Sequence, residues 1–166
     1  DRLISEPWHT TEGVIENVLL SHGMELSDEK LRGIIADMRY VDLLATSYFR
    51  EKTIRVLADS GIRVTLYGAG WDKTDVIKNT NVDFGGMISA REAAEKALEA
   101  KVVLSTMTWF KDGTHDRVFN GMLSGAVAVT DSSVYMKEEF SNGDELIMFE
   151  LLETDGLPDI VGELFR

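Results

Sequence analysis

The sequence has no cysteine and only two prolines in 166 residues. Without cysteine there is no disulfide, no thiolate nucleophile and no thiolate metal ligand. That fits a reducing compartment, and a cytoplasmic location is the expectation. With so little proline, no stiff linker divides the chain. Basic charge is also scarce: 17 Lys and Arg face 29 Asp and Glu, leaving a net charge of -12. Such a surface repels phosphate backbones and anionic lipid, so neither nucleic acid nor strong membrane binding is expected. No apolar run approaches the roughly 20 residues that span a bilayer. No signal peptide, repeat or low-complexity tract is visible. The length favours one domain. Because the chain opens at Asp1 without methionine, it is read as a piece of a longer protein.

What is present is organised around Val102 to Asp131, VVLSTMTWFKDGTHDRVFNGMLSGAVAVTD. Val102–Val103–Leu104 suits a buried strand. A polar loop from Thr106 to Thr114 follows, with Asp112–Gly113 inside it. The spacing then predicts a helix from His115 to Ser124. Val118, Phe119, Met122 and Leu123 form its apolar face, opposite Arg117, Asn120 and Ser124. Gly125 stops it. Ala126 to Thr130 is a second buried strand, ended by Asp131. Strand–loop–helix–strand units of this kind build parallel sheets, which bind ligands beyond the carboxyl ends of their strands.

The first third reads as helix. Thr10 or Thr11 starts one running to His22, Ser27 a second, and a third runs near Ser47 to Ser60. Strands are predicted at about 62–68, 82–86, 102–106, 126–130 and 146–149. Ser89 caps a helix from Ala90 to Glu99, Ser132 or Ser133 starts one to Phe140, and the last runs from Leu157 to Arg166. The expected fold is therefore α/β: a Rossmann-like, three-layer α/β/α domain. Its five-stranded parallel sheet takes the order 2-1-3-4-5. The helical segment 1–61 packs on the core, 62–166, as part of one domain.

Several groups admit two readings each. Gly68-Ala69-Gly70 after the first strand is a phosphate-binding turn or only a tight turn. Lys73 occupies the third glycine position of a dinucleotide fingerprint, and Asp83 opens the second strand rather than ending it. Both count against a dinucleotide-dependent oxidoreductase. Asp112 and Asn120 bracket seven residues, either as a functional pair or as a turn acid and a surface amide. Thr114 to Arg117 is an anion site at a helix start, or a Thr cap with a surface arginine. Asp131 belongs to the site or caps the next helix. Trp71 and Trp109 stack on a base or pack. No Asp, Glu or His cluster has metal-ligand spacing. The Gly-x-Ser-x-Gly elbow is absent. A phospho-receiver needs acids after its first strand, where this chain has Gly-Ala-Gly-Trp.

From about Ile62 to Phe149 the chain resembles the C-terminal domain of group 1 glycosyltransferases of the GT-B type, in the branch that includes the CgeB-like spore-maturation proteins. The stretches that carry the resemblance are VTLYGAGW (64–71), VDFGGMIS (82–89), AKVVLSTMT (100–108), DGTHDRVFNGMLSGAVAVTD (112–131) and EEFSNGDELIMF (138–149). The resemblance implies the donor half of a two-domain enzyme acting on a bacterial cell-surface glycan. This half holds a nucleotide-diphosphate sugar. A separate N-terminal domain meets the acceptor, whether glycan, lipid or protein. Transfer proceeds without a bound metal or other cofactor, and this half alone transfers little.

The family's Glu-x7-Glu motif falls on Asp112 and Asn120. Asp112 faces the donor sugar, and Asn120 offers an amide to the ribose in place of a carboxylate. Asp112 and His115 are the candidate catalytic residues. His115 and Arg117, with Thr114, face the diphosphate, and Gly68 and Gly70 let the backbone approach it. Trp71, Met87, Ile88 and Asp131 complete the substrate-binding set, with Met87 and Ile88 at the base. The basic residues near the start of the domain are Arg50, Lys52 and Arg55. Asn120 is also the feature that favours the alternative, a non-catalytic nucleotide-binding or scaffold module.

Overall fold

The computed structural model describes residues 1–166. Four helices come first: α1 (Arg2–Ser5), α2 (Thr11–Ser21), α3 (Asp28–Asp37) and α4 (Arg39–Asp59). They are followed by β1 (Val64–Leu66), β2 (Val82–Phe84), α5 (Ala90–Glu99), β3 (Val102–Ser105) and α6 (Asp116–Leu123). The chain ends with β4 (Val127–Asp131), α7 (Val134–Glu139), β5 (Ile147–Phe149) and α8 (Leu157–Glu163). Helix α4 has 21 residues and starts well before the predicted Ser47.

All strand pairs are parallel, but they form two ladders rather than one sheet. One joins β1 to β2, and the other runs β3-β4-β5. The expected five-stranded sheet is therefore corrected: no backbone ladder links β1 to β3. Val64 of β1 and Leu104 of β3 instead pack against the same apolar clusters. The two ladders meet through side chains because β1 is only three residues long and all of its ladder bonds run to β2.

Strand periodicity sorts the core into layers. In β4, Val129 joins one cluster and Ala128 another; in β5, Phe149 and Met148 divide the same way. Successive side chains point to opposite faces of a sheet. On one face Phe49 and Leu57 of α4 and Leu157 and Val161 of α8 meet the strands. On the other lie Val118 of α6 and Met136 of α7. The arrangement is mixed α/β and compatible with a Rossmann-like core.

Helix α4 serves both ladders. Its residues Ile54 and Ala58 pack with Leu66, Val82, Trp71 and Val76. Helix α5, by contrast, buries no residue. A reciprocal cap holds its start: Ser89 Oγ accepts from the Glu92 amide, and Glu92 Oε2 accepts from the Ser89 amide. Close approach is needed where α6 crosses β3. A Cβ on Gly121 would lie 3.0 Å from Cβ of Val103.

Candidate functional site

The loop between β3 and α6 is held at its base by β4. In the parallel register Ser105 lies opposite Thr130. Asp131, one residue on, thus reaches past the end of β3, and its Oδ1 accepts the backbone N–H of Met107. The carboxylate is only 3% exposed. Burial pushes its pKa up to about 6, against the Met107 amide and Lys111, which pull it down; Glu150 adds a further upward push. Asp131 does not cap α7; Ser133 does, accepting from the Met136 amide.

Met107 is fully buried and its thioether sulfur accepts twice, from Thr114 Oγ1 at 3.2 Å and from the His115 amide at 3.2 Å. The middle of the loop is fastened to α7. Lys111, Asp112 and Gly113 supply carbonyls to the Val134 amide, the Tyr135 amide and the Ser133 hydroxyl. Lys111 folds inward, donating to the carbonyls of Pro7 and Thr108. Burial lowers its pKa, partly opposed by Asp131 and Asp42.

His115, not Thr114, caps α6. Its Nδ1 accepts from the Arg117 amide at 3.1 Å. The same Nδ1 lies 2.5 Å from Asp116 Oδ1, so it accepts in the neutral ring and donates in the imidazolium. Burial and the Arg117 charge lower the His115 pKa, outweighing Asp116, which favours the neutral capping form. The ring is walled by Trp109 and Phe110 at 6.2 and 5.9 Å between centroids. Two amides of this helix start, those of His115 and Arg117, are thus already occupied. The charge offered here comes from side chains.

Those side chains are Arg117 and Arg50. Arg117 Nη1 donates to Ser105 Oγ at 3.2 Å, which sets the guanidinium at the carboxyl end of β3. Arg50, from α4, lies over the Trp71 ring, 4.9 Å from its centroid. Its pKa is lowered by burial and by the Arg117 charge. Neither guanidinium has a carboxylate partner; the arginine ion pairs are Arg55–Glu51, Arg63–Asp83 and Arg91–Glu95. The Arg117 charge is thus felt at Arg50, and neither guanidinium is neutralised by a paired carboxylate.

The other named residues distribute unevenly. Gly68 and Gly70 adopt φ of +106° and +90°, which explains the glycines. The Gly68 amide donates to Gly86 O at 2.8 Å, tying the turn after β1 to the segment after β2. Trp71 is 8% exposed, one of the β1–β2 core residues, with Arg50 over its ring. That leaves little ring for a base. Asp112 and Asn120 are both exposed, and their side chains make no hydrogen bond, so both are open to a ligand. Met87 is 72% exposed, and Ile88 beside it is half-buried.

Of the basic residues near the domain start, Arg55 pairs with Glu51 on its own helix, whereas Arg50 lies over Trp71 and feels the charge of Arg117. Sequence reasoning named Arg50 but had no means to choose it, and it missed Met107 and Ser105 altogether. A separate surface hollow is lined by Arg2, Glu6, His9 and Val14. There His9 faces Glu6 at 3.5 Å.

No helix is long and apolar enough to cross a membrane. No curated protein and no solved structure matches the chain. A model of glycosyl transferase-like proteins matches residues 50–163, which takes in Arg50, both ladders and the whole β3–α6 loop, and leaves α1 to α3 outside. That match spans well over half of the 166 residues, and the chain belongs to the glycosyl transferase-like family.

Proposed function

We propose that this chain is the donor-binding domain of a GT-B glycosyltransferase and holds a nucleoside-diphosphate sugar for transfer without a metal ion. The observation that carries the reading is a pair of guanidiniums without carboxylate partners: Arg117, held on Ser105 at the carboxyl end of β3, and Arg50, held over Trp71. Breaking a sugar–phosphate bond leaves charge on the diphosphate. Arginine forks fixed in advance by Trp71 and Ser105 stabilise that charge with little rearrangement. Asp112 and Asn120 are the side chains nearest in sequence that remain free to meet the sugar and ribose. His115 is assigned to the diphosphate side, where its neutral Nε2–H donates.

A melting-temperature screen over UDP-, GDP- and dTDP-sugars and NAD identifies the nucleotide. Calorimetry with the best ligand then compares the parent with Arg117→Ala. A charge-assisted hydrogen bond is worth roughly 1.5–3 kcal/mol. Since ~1.4 kcal/mol is tenfold, affinity should fall by about tenfold or more. Equal binding by the variant sinks the assignment. Stabilisation by NAD but by no sugar nucleotide sinks the class.

The exposed, unbonded amide of Asn120 supports a second reading. If nucleotide binds tightly and Asn120→Glu yields no turnover with the acceptor half supplied, the chain is a binding module only.

A further inference from the structure

Met107 is a methionine in a loop where no apolar contact was foreseen, yet it is among the most buried side chains, at 1% exposure. Its bonds run both ways. At the backbone its N–H is donated to the buried carboxylate of Asp131. At the far end its sulfur receives the Thr114 hydroxyl and the His115 amide, both at 3.2 Å. His115 in turn takes the Arg117 amide on Nδ1. A continuous chain of contacts therefore leads from the end of β4, through Met107, to the first turn of α6, where Arg117 starts. Thioether sulfur is a weak acceptor, so the value of these bonds lies in where they hold the backbone.

We infer that Met107 and Asp131 are positioning residues for the anion site. Asp131 fixes the Met107 backbone at the end of the sheet. The Met107 sulfur fixes the junction of loop and helix from which Arg117 projects. Asp131, expected from the sequence among the substrate-binding residues, is assigned here to support of the loop, as is Met107. The inference rests on the diphosphate reading of Arg50 and Arg117, and it adds to that reading the parts that keep Arg117 in register with Arg50. An unbranched side chain is needed to thread from the strand end to the helix start, and a sulfur is needed to accept there.

The test uses the 166-residue chain with Met107→Leu, Asp131→Asn and Asp131→Leu. Leucine keeps the volume and removes the acceptor, a swap that usually costs under about 1.5 kcal/mol. Asparagine keeps an oxygen for the Met107 amide. Two quantities are read: amide hydrogen exchange residue by residue, and calorimetric affinity for inorganic pyrophosphate.

In Met107→Leu the His115 amide should exchange at least tenfold faster while β4 amides keep their protection. Pyrophosphate should bind three- to tenfold more weakly. Asp131→Asn should keep the Met107 amide protected, whereas Asp131→Leu should lose that protection and bind pyrophosphate more weakly. If Asp131→Leu does not fold, the other two variants decide. Unchanged protection at His115, or unchanged affinity, in Met107→Leu overturns the inference. So does a loss in Asp131→Asn as large as in Asp131→Leu. If the parent itself ignores pyrophosphate, the diphosphate reading fails. The role at the anion site then falls with it, and faster exchange confined to His115 shows only that Met107 holds the start of the helix.

Discussion

Arg50 rests on the face of Trp71, 4.9 Å from the ring centroid, while the charge of Arg117 bears on it from another helix. The aromatic face supports the cation, and the second cation opposes it. The first helps the fold, and the second works against it.

That opposition predicts a trade between stability and binding. Arg50→Met keeps an apolar side chain over Trp71 and removes one of the two facing charges. Chemical denaturation should show a gain on the order of 1 kcal/mol, since relieving a functional strain commonly yields ~0.5–2 kcal/mol. Pyrophosphate affinity should fall by about tenfold or more, as for loss of a charge-assisted bond. A variant that is both less stable and equally good at binding would contradict the arrangement.

The buried carboxyl of Asp131 predicts a pH dependence of known sign. Its pKa is raised above the ordinary value of 3.8 to about 6 by burial. The fold therefore prefers the protonated form. This contribution is fully present below pH 3.8, shrinks as pH rises, and is lost above about 6. Two units correspond to at most ~3 kcal/mol. Asp131→Asn does not titrate, so the difference in stability between variant and parent should shift in the variant's favour between pH 4 and pH 7. Urea titrations at several pH values measure it. A parallel pair of curves would mean that Asp131 titrates as in the unfolded chain.

Packing predicts the effect of Gly121→Ala. The new methyl would meet Cβ of Val103, which is anchored on β3 and has no freedom to swing away. Overpacking costs typically ~1–3 kcal/mol. Alanine recovers about 1 kcal/mol of helix propensity over glycine. The net should be a loss on the order of 1 kcal/mol in thermal or chemical denaturation. Adding Val103→Gly removes that Cβ, so the pair should show less than the sum of the two single losses. Additive losses would mean that the helix does not press on the strand there.

Helix α5 predicts a local effect instead of a global one. It buries nothing, so its stability depends on the Ser89–Glu92 cap and on i,i+4 pairs such as Arg91–Glu95. Ser89→Ala removes a cap worth roughly 1 kcal/mol. Exchange of the α5 amides should quicken severalfold, while the global melting temperature stays within about a degree or two. A large drop in melting temperature would show that α5 is coupled to the core more tightly than its exposure indicates.

Much of this molecule is written in local signals. Parallel βα units follow from short β-branched runs alternating with amphipathic segments, and the chain has them where expected. Ser89 three residues before Glu92 announces a cap that depends only on one turn of backbone. The helix start near His115, the glycines with left-handed φ and the exposed pair Asp112 and Asn120 are legible for the same reason.

Other features needed the tertiary structure. Three basic residues, Arg50, Lys52 and Arg55, lie within six positions of one helix, and only its rotation against the sheet selects Arg50. Trp71 reads as a loop aromatic until its ring is seen in the core. Asp131 reads as a site residue or a helix cap until the register with β3 sets it under Met107. The separation of β1 from β3 has no sequence signature, since strand runs alone do not say which edges bond. Periodicity reports which face of an element is apolar, because that depends on neighbours a few residues away. Which distant charges meet, and which carboxylate is buried, depends on how whole elements pack, and that was decided only by the folded chain.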